Sequence, residues 1–277
     1  MVTYLPTDAI TSYENKQYDE IVKWEQKEPS VVAKTTDFLM KPVSWAVQKV
    51  IPSKAIEGAL LSSSKLAEKL ADTNDIIRDG GVGSIEELRH KDLELSDKLA
   101  NEVHNWANGV ATAEGGAAGY FGIAGMVIDI PALITLSLRT IHKIGLCYGY
   151  ECRTEADNKY VLAIVSAACS NTMKEKATSV STLQAMAVVV AKTTWKKMSE
   201  RAAANKFGLD AAIIGIRNLA KQLGINITKR KAAQAFPFIG AGVGAAMNLA
   251  FINDVSWAAR RAFQEKWLID NNKIIAG

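Results

Sequence analysis

Residues 115–150 read GGAAGYFGIAGMVIDIPALITLSLRTIHKIGLCYGY, and this stretch decides the fold we expect. Five glycines fall within its first eleven residues, and in a helix each costs about 1 kcal/mol relative to alanine. That cost is tolerated where a face of small residues lets a second helix backbone approach closely. The pattern predicts a tightly packed helix over 111–127. The glycines that share or border one helical face are Gly115, Gly119, Gly122 and Gly125.

An acid and a proline separate this glycine segment from a longer apolar one. Asp129 is a good N-cap residue, and Pro131 is tolerated in the first turn of a helix. Gly149 is a typical residue at which a helix stops. The sequence therefore predicts a second helix over 130–148, which forms a tight hairpin with the first.

A looser version of the pattern lies near the C-terminus, from Gly240 to Leu268. At a constant offset, Gly115 aligns with Gly240 and Asp129 with Asp254. Two interpretations stay open: an internal duplication, or two glycine helices that pack against each other. Both predict an all-α, multi-helix globular bundle with two glycine-rich helical hairpins packed centrally. The residues of this second pattern are Gly240, Gly242, Gly244 and Asp254.

Two environments suit the central hairpin: a buried protein core or a lipid bilayer. From Ala117 to Leu138 the only charged residue is Asp129, and a membrane span needs roughly 20 apolar residues. A central acid costs about 2.5–3.5 kcal/mol, and Pro131 frees backbone groups that lipid cannot satisfy. These penalties favour a buried hairpin, or a partial insertion, over a plain transmembrane helix.

The 277 residues, 48% of them apolar, are enough for a large core in one or two domains. Apolar residues recur at helical rather than strand spacing. The loop at 79–83 is the candidate joint between an acidic N-terminal helical segment (1–83) and a helical core (84–277). One continuous domain over 20–268 is the alternative.

A helix start follows this loop. Ser84 and Glu87 have the spacing of a capping box. Apolar residues then recur from Leu88 to Trp106 along one face, which predicts an amphipathic helix. Gly109 is predicted to end it.

Three cysteines, an odd number without the spacing of a disulfide framework, favour a reducing compartment. They have no zinc-site spacing, so we predict no metal. The polar first residues do not have the pattern of a signal peptide. We therefore expect a cytoplasmic protein, free or peripheral at the inner face of the membrane.

The net charge of +4 hides an asymmetry between the two halves of the chain. Residues 1–138 carry a net charge of −7 and residues 139–277 a net charge of +11. The halves either attract each other within one fold or present a basic face to anionic lipid, at about 1 kcal/mol per basic residue. No nucleic-acid-binding signature surrounds the basic clusters, so nucleic acid is not a predicted partner. The residues expected to contact an anionic surface are Lys229, Arg230, Lys231, Arg260 and Arg261.

The central stretch and the C-terminal stretch FPFIGAGVGAAMNLAFINDVSWAARRAFQEKWL (236–268) together resemble the EcsC family. Trp24 followed by Pro29, and a helix that ends in Trp106, fit as well. The resemblance covers most of residues 20–268. It implies a bacterial protein, cytoplasmic or membrane-associated, because the family is named for a component encoded beside an ABC transporter. It implies no catalytic residues.

The histidines are the remaining candidates for chemistry. His90 and His104 are expected at exposed positions. His142 lies near Arg139 in apolar surroundings, and a histidine with a carboxylate partner acts as a base or a metal ligand. Asp129 is about 20 Å away along the same helix, too far to be that partner. The sequence has no H-E-x-x-H, G-x-S-x-G or P-loop motif, so we predict no catalytic residue and no cofactor.

Three hypotheses about function follow. The first is a non-enzymatic helical protein at the membrane surface or in a membrane transporter complex, which uses the glycine hairpins and the basic half. The second is a soluble binding module with an apolar cavity for a lipid-like ligand. The third is a hydrolase with a site around His142. The sequence sets no oligomeric state.

Overall fold

Helices make up nearly all the regular structure in the computed structural model, which describes residues 3–29, 72–119, 122–192 and 240–277. The predicted all-α class is confirmed, since the strands within those ranges form a single two-stranded ribbon. Numbered within the described ranges, the elements are β1 (Tyr4–Pro6), α1 (Ser12–Gln26), α2 (Asn74–Gly80), a 3-10 helix (Ile85–His90), α3 (Leu93–Gly119), α4 (Gly122–Cys147), α5 (Glu155–Ala168), α6 (Met173–Lys192), α7 (Gly240–Asp270) and β2 (Ile274–Ala276).

Local capping explains where α1 begins. The side chain of Thr11 accepts a hydrogen bond from the backbone of Glu14 at 3.2 Å, and the Glu14 carboxylate accepts one from the backbone of Thr11 at 2.7 Å. This reciprocal pair is a capping box, which satisfies two backbone donors that the first turn leaves free.

The predicted capping box at Ser84 is wrong. The side chain of Ser84 makes no cap hydrogen bond, and only the 3-10 helix follows it. Asp92 starts the long helix instead, because its carboxylate accepts from the backbone N–H groups of Glu94 and Leu95 at 3.1 and 3.4 Å. The helix also continues past Gly109 to Gly119, since the exposed Gly109 interrupts no backbone hydrogen bond.

The break between the two central helices falls earlier than predicted. α3 ends at Gly119 and α4 begins at Gly122, so Asp129 is not an N-cap and Pro131 is not in a first turn. Pro131 lies inside α4 and removes one backbone hydrogen bond. The packing of α4 against α3 and α7 offsets that loss. The stop at Gly149 is confirmed: α4 ends at Cys147, and Gly149, two residues later, adopts φ +84°.

The second glycine-rich segment does not form a hairpin between 240 and 270. Gly240–Asp270 is one uninterrupted helix, so the break expected near Asp254 is absent. Asn253 and Asp254 are half-buried within α7, where a continuous backbone ladder leaves no free donors to cap.

α7 is the central element among those described. It packs most extensively on α3, and it also contacts α1, α4, α5, α6 and β2. Phe263 is fully buried on α7 and lies among the rings of Tyr148, Tyr150 and Tyr160. The antiparallel ribbon pairs Tyr4 with Ala276, which holds the two ends of the chain side by side.

Side-chain pairs fix the directions of the three central helices. On α3, Asp97 meets Tyr148, and further along Trp106 meets Arg139, so α3 and α4 are antiparallel. Asp97 also bonds Gln264. Four residues later on α3, Asn101 bonds Arg260, which lies four residues earlier on α7 than Gln264. These two helices are therefore antiparallel as well. Continued along straight helices, this register places Gly119 beside Gly242. The close glycine contact at that level stays a prediction, because the side chains of 116–130 and 240–244 lie outside those described.

Substitution of Gly119 tests the predicted glycine contact. We expect Gly119→Leu to lower the free energy of unfolding by about 1–3 kcal/mol, because the new side chain would force two backbones apart. The measurement is urea denaturation. Gly109→Leu is the matched control in the same helix: a side chain there meets open space, so that variant should be neutral or more stable. Equal effects at both positions would contradict close glycine packing.

Gly145 is a second position where side-chain volume matters. A Cβ atom there would lie 2.9 Å from Phe263 Cζ and 3.1 Å from the carbonyl oxygen of Tyr150. We expect Gly145→Ala to destabilise the protein by roughly 1–3 kcal/mol in thermal unfolding, although alanine is the better helix former. Gly109→Ala should instead stabilise it by about 0.5–1 kcal/mol. A Gly145→Ala variant as stable as Gly109→Ala would refute this account of the core.

Candidate functional site

A buried carboxylate joins the central helices. Asp97 is 4% exposed, and it accepts hydrogen bonds from Tyr13 at 2.8 Å, Tyr148 at 2.5 Å and the amide of Gln264 at 2.6 Å. Burial, together with the neighbouring carboxylate, raises the pKa of the Tyr148 hydroxyl well above its usual value. With three donors bound and little exposed surface, Asp97 has a structural role in joining the helices.

Arg260 and Arg261 do not contact an external anionic surface, which corrects that prediction. They are 8% and 7% exposed. Arg260 donates to Asn101 at 3.0 Å, and Arg261 donates to Gln264 at 2.8 Å and to Gln17 at 3.1 Å. Both guanidinium groups also lie over the Trp257 ring, and Arg261 lies 3.7 Å from Glu20. Charge counting cannot distinguish such arginines from surface ones, because partners inside the fold replace water. The predicted cluster Lys229–Lys231 lies outside the described residues.

His104 is also internal, although the sequence predicts it at the surface. Its ring is 4% exposed, with Nε2 lying 3.0 Å from Asn253 Oδ1 and the ring meeting Trp257 edge-on. His90 is exposed as predicted, and its Nδ1 lies 2.9 Å from Asn271 Oδ1. Both histidines therefore have structural partners.

The predicted polar pair of Arg139 and His142 is divided between two environments. His142 is 2% exposed, and neither ring nitrogen has a hydrogen-bond partner among the described residues. Burial lowers its pKa to about 4, with Asp157 opposing the shift, so the ring is neutral at physiological pH. Arg139 lies against Trp106 instead, with its guanidinium carbon 4.7 Å from the ring centre.

Arg139 lines a half-open groove between α2, α3 and α4, with a volume of about 280 Å³. Ile76, Leu99, Val103 and Trp106 are the apolar residues that line it, and the first three are called the apolar floor below. The charged side chains that line it are Asp75, Asp79, Glu102, Arg139 and Lys143. This groove combines open space with charged and aromatic groups.

Most of these charges are paired locally. Lys143 binds Asp75 at 2.5 Å, and Asp79 binds Arg78 at 2.7 Å. Arg139 and Glu102 form no ion pair within the described ranges, and Nε of Arg139 is buried without a hydrogen-bond partner. The groove therefore presents one unpaired cation and one unpaired anion on opposite helices.

A second polar cluster joins α1, α6 and α7, and the sequence did not indicate it. The Gln184 amide donates to Glu25 at 2.9 Å and to Glu265 at 3.2 Å. Burial raises the pKa of Glu265 to about 8, with the nearby Glu25 adding to the shift, and burial raises that of Glu25 to about 7. Nearby, burial lowers the pKa of Lys176 to about 8.

The predicted glycine residues all lie in helices, but their contacts are not among those described, apart from the burial of Gly115. Within the described ranges, no group of three or more His, Cys, Asp or Glu side chains could hold a metal ion. In the same ranges, no helix combines the length and apolarity needed to cross a membrane.

The fold and its interior define a helical protein whose central C-terminal helix carries many buried polar side chains. The chain belongs to the EcsC protein family, whose model matches residues 15–268, and the resemblance seen in the sequence is confirmed. It is similar to the uncharacterized protein YdbA of Bacillus subtilis (strain 168), with 21% identity over 273 residues that cover 94% of each chain. No solved structure matches this chain.

The raised pKa of Glu265 predicts a pH-dependent stability. The pKa of Glu265 is about 4.5 in the unfolded chain and about 8 in the folded protein, so folding disfavours its ionised form. The free energy of unfolding should therefore fall as the pH rises from about 4.5 through about 8. Glu265→Gln keeps an acceptor for Gln184 and removes the ionisation. At about pH 9 we expect this variant to exceed the parent in free energy of unfolding by on the order of 2 kcal/mol.

Urea denaturation at about pH 5 and about pH 9 measures this difference. Glu94→Gln, an exposed position on α3, is the matched control and should leave the pH dependence unchanged. If Glu265→Gln and the parent lose stability in parallel between the two pH values, Glu265 is not the source of the effect.

Proposed function

We propose that this protein is a non-enzymatic helical protein that associates with the membrane surface, alone or as part of a membrane complex. The observation that carries the proposal is the uncharged end of the α3–α4 pair. No residue from Gly115 to Ile128 is charged, and this segment spans the end of α3 and the start of α4. Asp97 anchors the other end of the pair in the core, roughly 33 Å away along α3.

Insertion into the headgroup region suits this end better than a crossing of the bilayer. An apolar helical end needs to enter only about 5–10 Å to bury its side chains at the interface. Asp129 would then stay at the level of the headgroups, where it avoids the cost of the hydrocarbon centre. The basic cluster at Lys229–Lys231 in the sequence supports association with an anionic membrane, because anionic lipids attract such clusters.

A hydrolase around His142 is less well supported. A general base needs a substrate group within hydrogen-bond reach and a partner that orients its ring. Among the described residues no side chain bonds to either nitrogen of His142, and the ring is closed to solvent. We therefore assign no reaction to it.

Vesicle flotation tests the proposal. We expect the protein to float with vesicles containing anionic phosphatidylglycerol, and less so as salt is raised, because screening weakens attraction to the headgroups. Ile123→Glu places a charge in the uncharged end and should reduce the floating fraction at least tenfold. Met173→Glu is the matched control, since Met173 is an exposed apolar residue on another helix and its substitution should have no effect.

The basic cluster gives a second arm to the experiment. A variant with Lys229→Glu, Arg230→Glu and Lys231→Glu should lose the preference for anionic over neutral vesicles while Ile123 remains in place. A parent protein that stays in the soluble fraction with anionic vesicles at low salt would refute membrane-surface association.

A further inference from the structure

The groove between α2, α3 and α4 has an arrangement of charge that its own residues do not neutralise. Two of its acids have basic partners, Asp75 with Lys143 and Asp79 with Arg78. Arg139 on α4 and Glu102 on α3 remain, and they form no ion pair with each other. One positive group on α4 and one negative group on α3 thus line the same space.

Arg139 is held ready to bind an oxyanion. Its guanidinium carbon lies 4.7 Å from the centre of the Trp106 ring, and this cation–π contact helps to hold the side chain in place. The side chain is half-buried, lines the groove and has no ion-pair partner within the described ranges. An incoming carboxylate or phosphate oxygen would therefore gain a charge-assisted hydrogen bond there.

Glu102 supplies the complementary group. It is exposed, one helical turn before Trp106 on the same face of α3, and it lines the same groove. A carboxylate in this position accepts hydrogen bonds from an ammonium group. Ile76, Leu99 and Val103 line the same groove and offer an apolar surface to the rest of a ligand.

We propose that this groove binds a small zwitterion, with its oxyanion on Arg139, its primary ammonium on Glu102 and an apolar part on the floor. The volume of about 280 Å³ accommodates a molecule of amino-acid size. A simple anion would leave Glu102 unpaired and repelled, and a simple cation would do the same for Arg139. Selectivity for a ligand that carries both charges follows from the unpaired state of both residues.

Three probes that share a phenylethyl unit test the proposal: L-phenylalanine, 3-phenylpropionate without the ammonium, and 2-phenylethylamine without the carboxylate. In calorimetric titrations and ligand-observed NMR with the full chain, we expect phenylalanine to bind at least tenfold more tightly than either single-charge analogue. Equal binding of phenylalanine and 3-phenylpropionate would overturn the proposal. So would a failure to bind any zwitterion, whether soluble or displayed on a vesicle.

Two variants assign the contacts. Arg139→Gln should weaken phenylalanine and 3-phenylpropionate at least tenfold and leave 2-phenylethylamine unchanged, whereas Glu102→Gln should have the reverse selectivity between the two analogues. Arg153→Gln, at an exposed arginine outside the groove, is the matched control and should change nothing. If Arg139→Gln does not fold, Glu102→Gln still tests the proposed site, because Glu102 is exposed and its substitution should not disturb the fold. Phenylalanine affinity that is unchanged in Glu102→Gln refutes the site.

A lipid headgroup could supply the same chemistry as a free zwitterion, so a further arm separates the two sources. O-phosphoethanolamine carries the charges in soluble form, and phosphatidylethanolamine vesicles carry them on lipid. If the soluble probe binds and Glu102→Gln abolishes that binding, the ligand is a free zwitterion. If only the vesicles bind and Glu102→Gln abolishes vesicle binding, the ligand is a lipid headgroup. Both outcomes are independent of the proposed membrane contact at the uncharged end of α3–α4. Ile123→Glu alters that end and should leave zwitterion binding in the groove unchanged.

Discussion

The buried carboxylate of Asp97 is the constraint on which the helix packing depends. Its three hydrogen bonds come from α1, from the turn after α4 and from α7, so one side chain on α3 sets the rotation and register of three other segments. A buried charge without partners destabilises a fold by several kcal/mol. A slip of α7 by one helical turn would remove Gln264 from Asp97 and Arg260 from Asn101 together, so alternative registers are unfavourable.

Because of this constraint, α3 has one polar face packed against α7 and another polar face that borders the groove. Asp97, Asn101 and His104 follow one another at spacings of four and three and meet α7, where their partners satisfy them. Glu102 and Trp106 lie on another face, toward α4, and they border open space. Polar groups on the first face hold the helices together. Glu102 on the second face is exposed and has no ion-pair partner among the described residues, and the proposed ligand site rests on this.

The two features that carry functional proposals lie at different levels of the same helix pair. The groove involves the part of α3 up to Trp106, whereas the uncharged end begins at Gly115 and continues into α4. From Trp106 to Gly119 the helix rises by roughly 20 Å. A protein that rests on a membrane through this end would therefore hold the groove away from the bilayer surface, open to soluble ligands.

The sequence by itself determined the helical class, the long helices at the centre and C-terminus, the stop at Gly149 and the family, because these follow from residue spacing, local propensity and extended sequence similarity. Only the tertiary structure decided where α3 gives way to α4, since contacts with neighbouring helices outweigh the local preferences of Gly109, Asp129 and Pro131. The tertiary structure also decided which charged and polar side chains are buried and which are exposed. Arg260, Arg261 and His104 are buried, whereas Glu102 is exposed. The burial of a polar side chain depends on which helix faces pack against each other, and the order of charges along the sequence does not specify this packing.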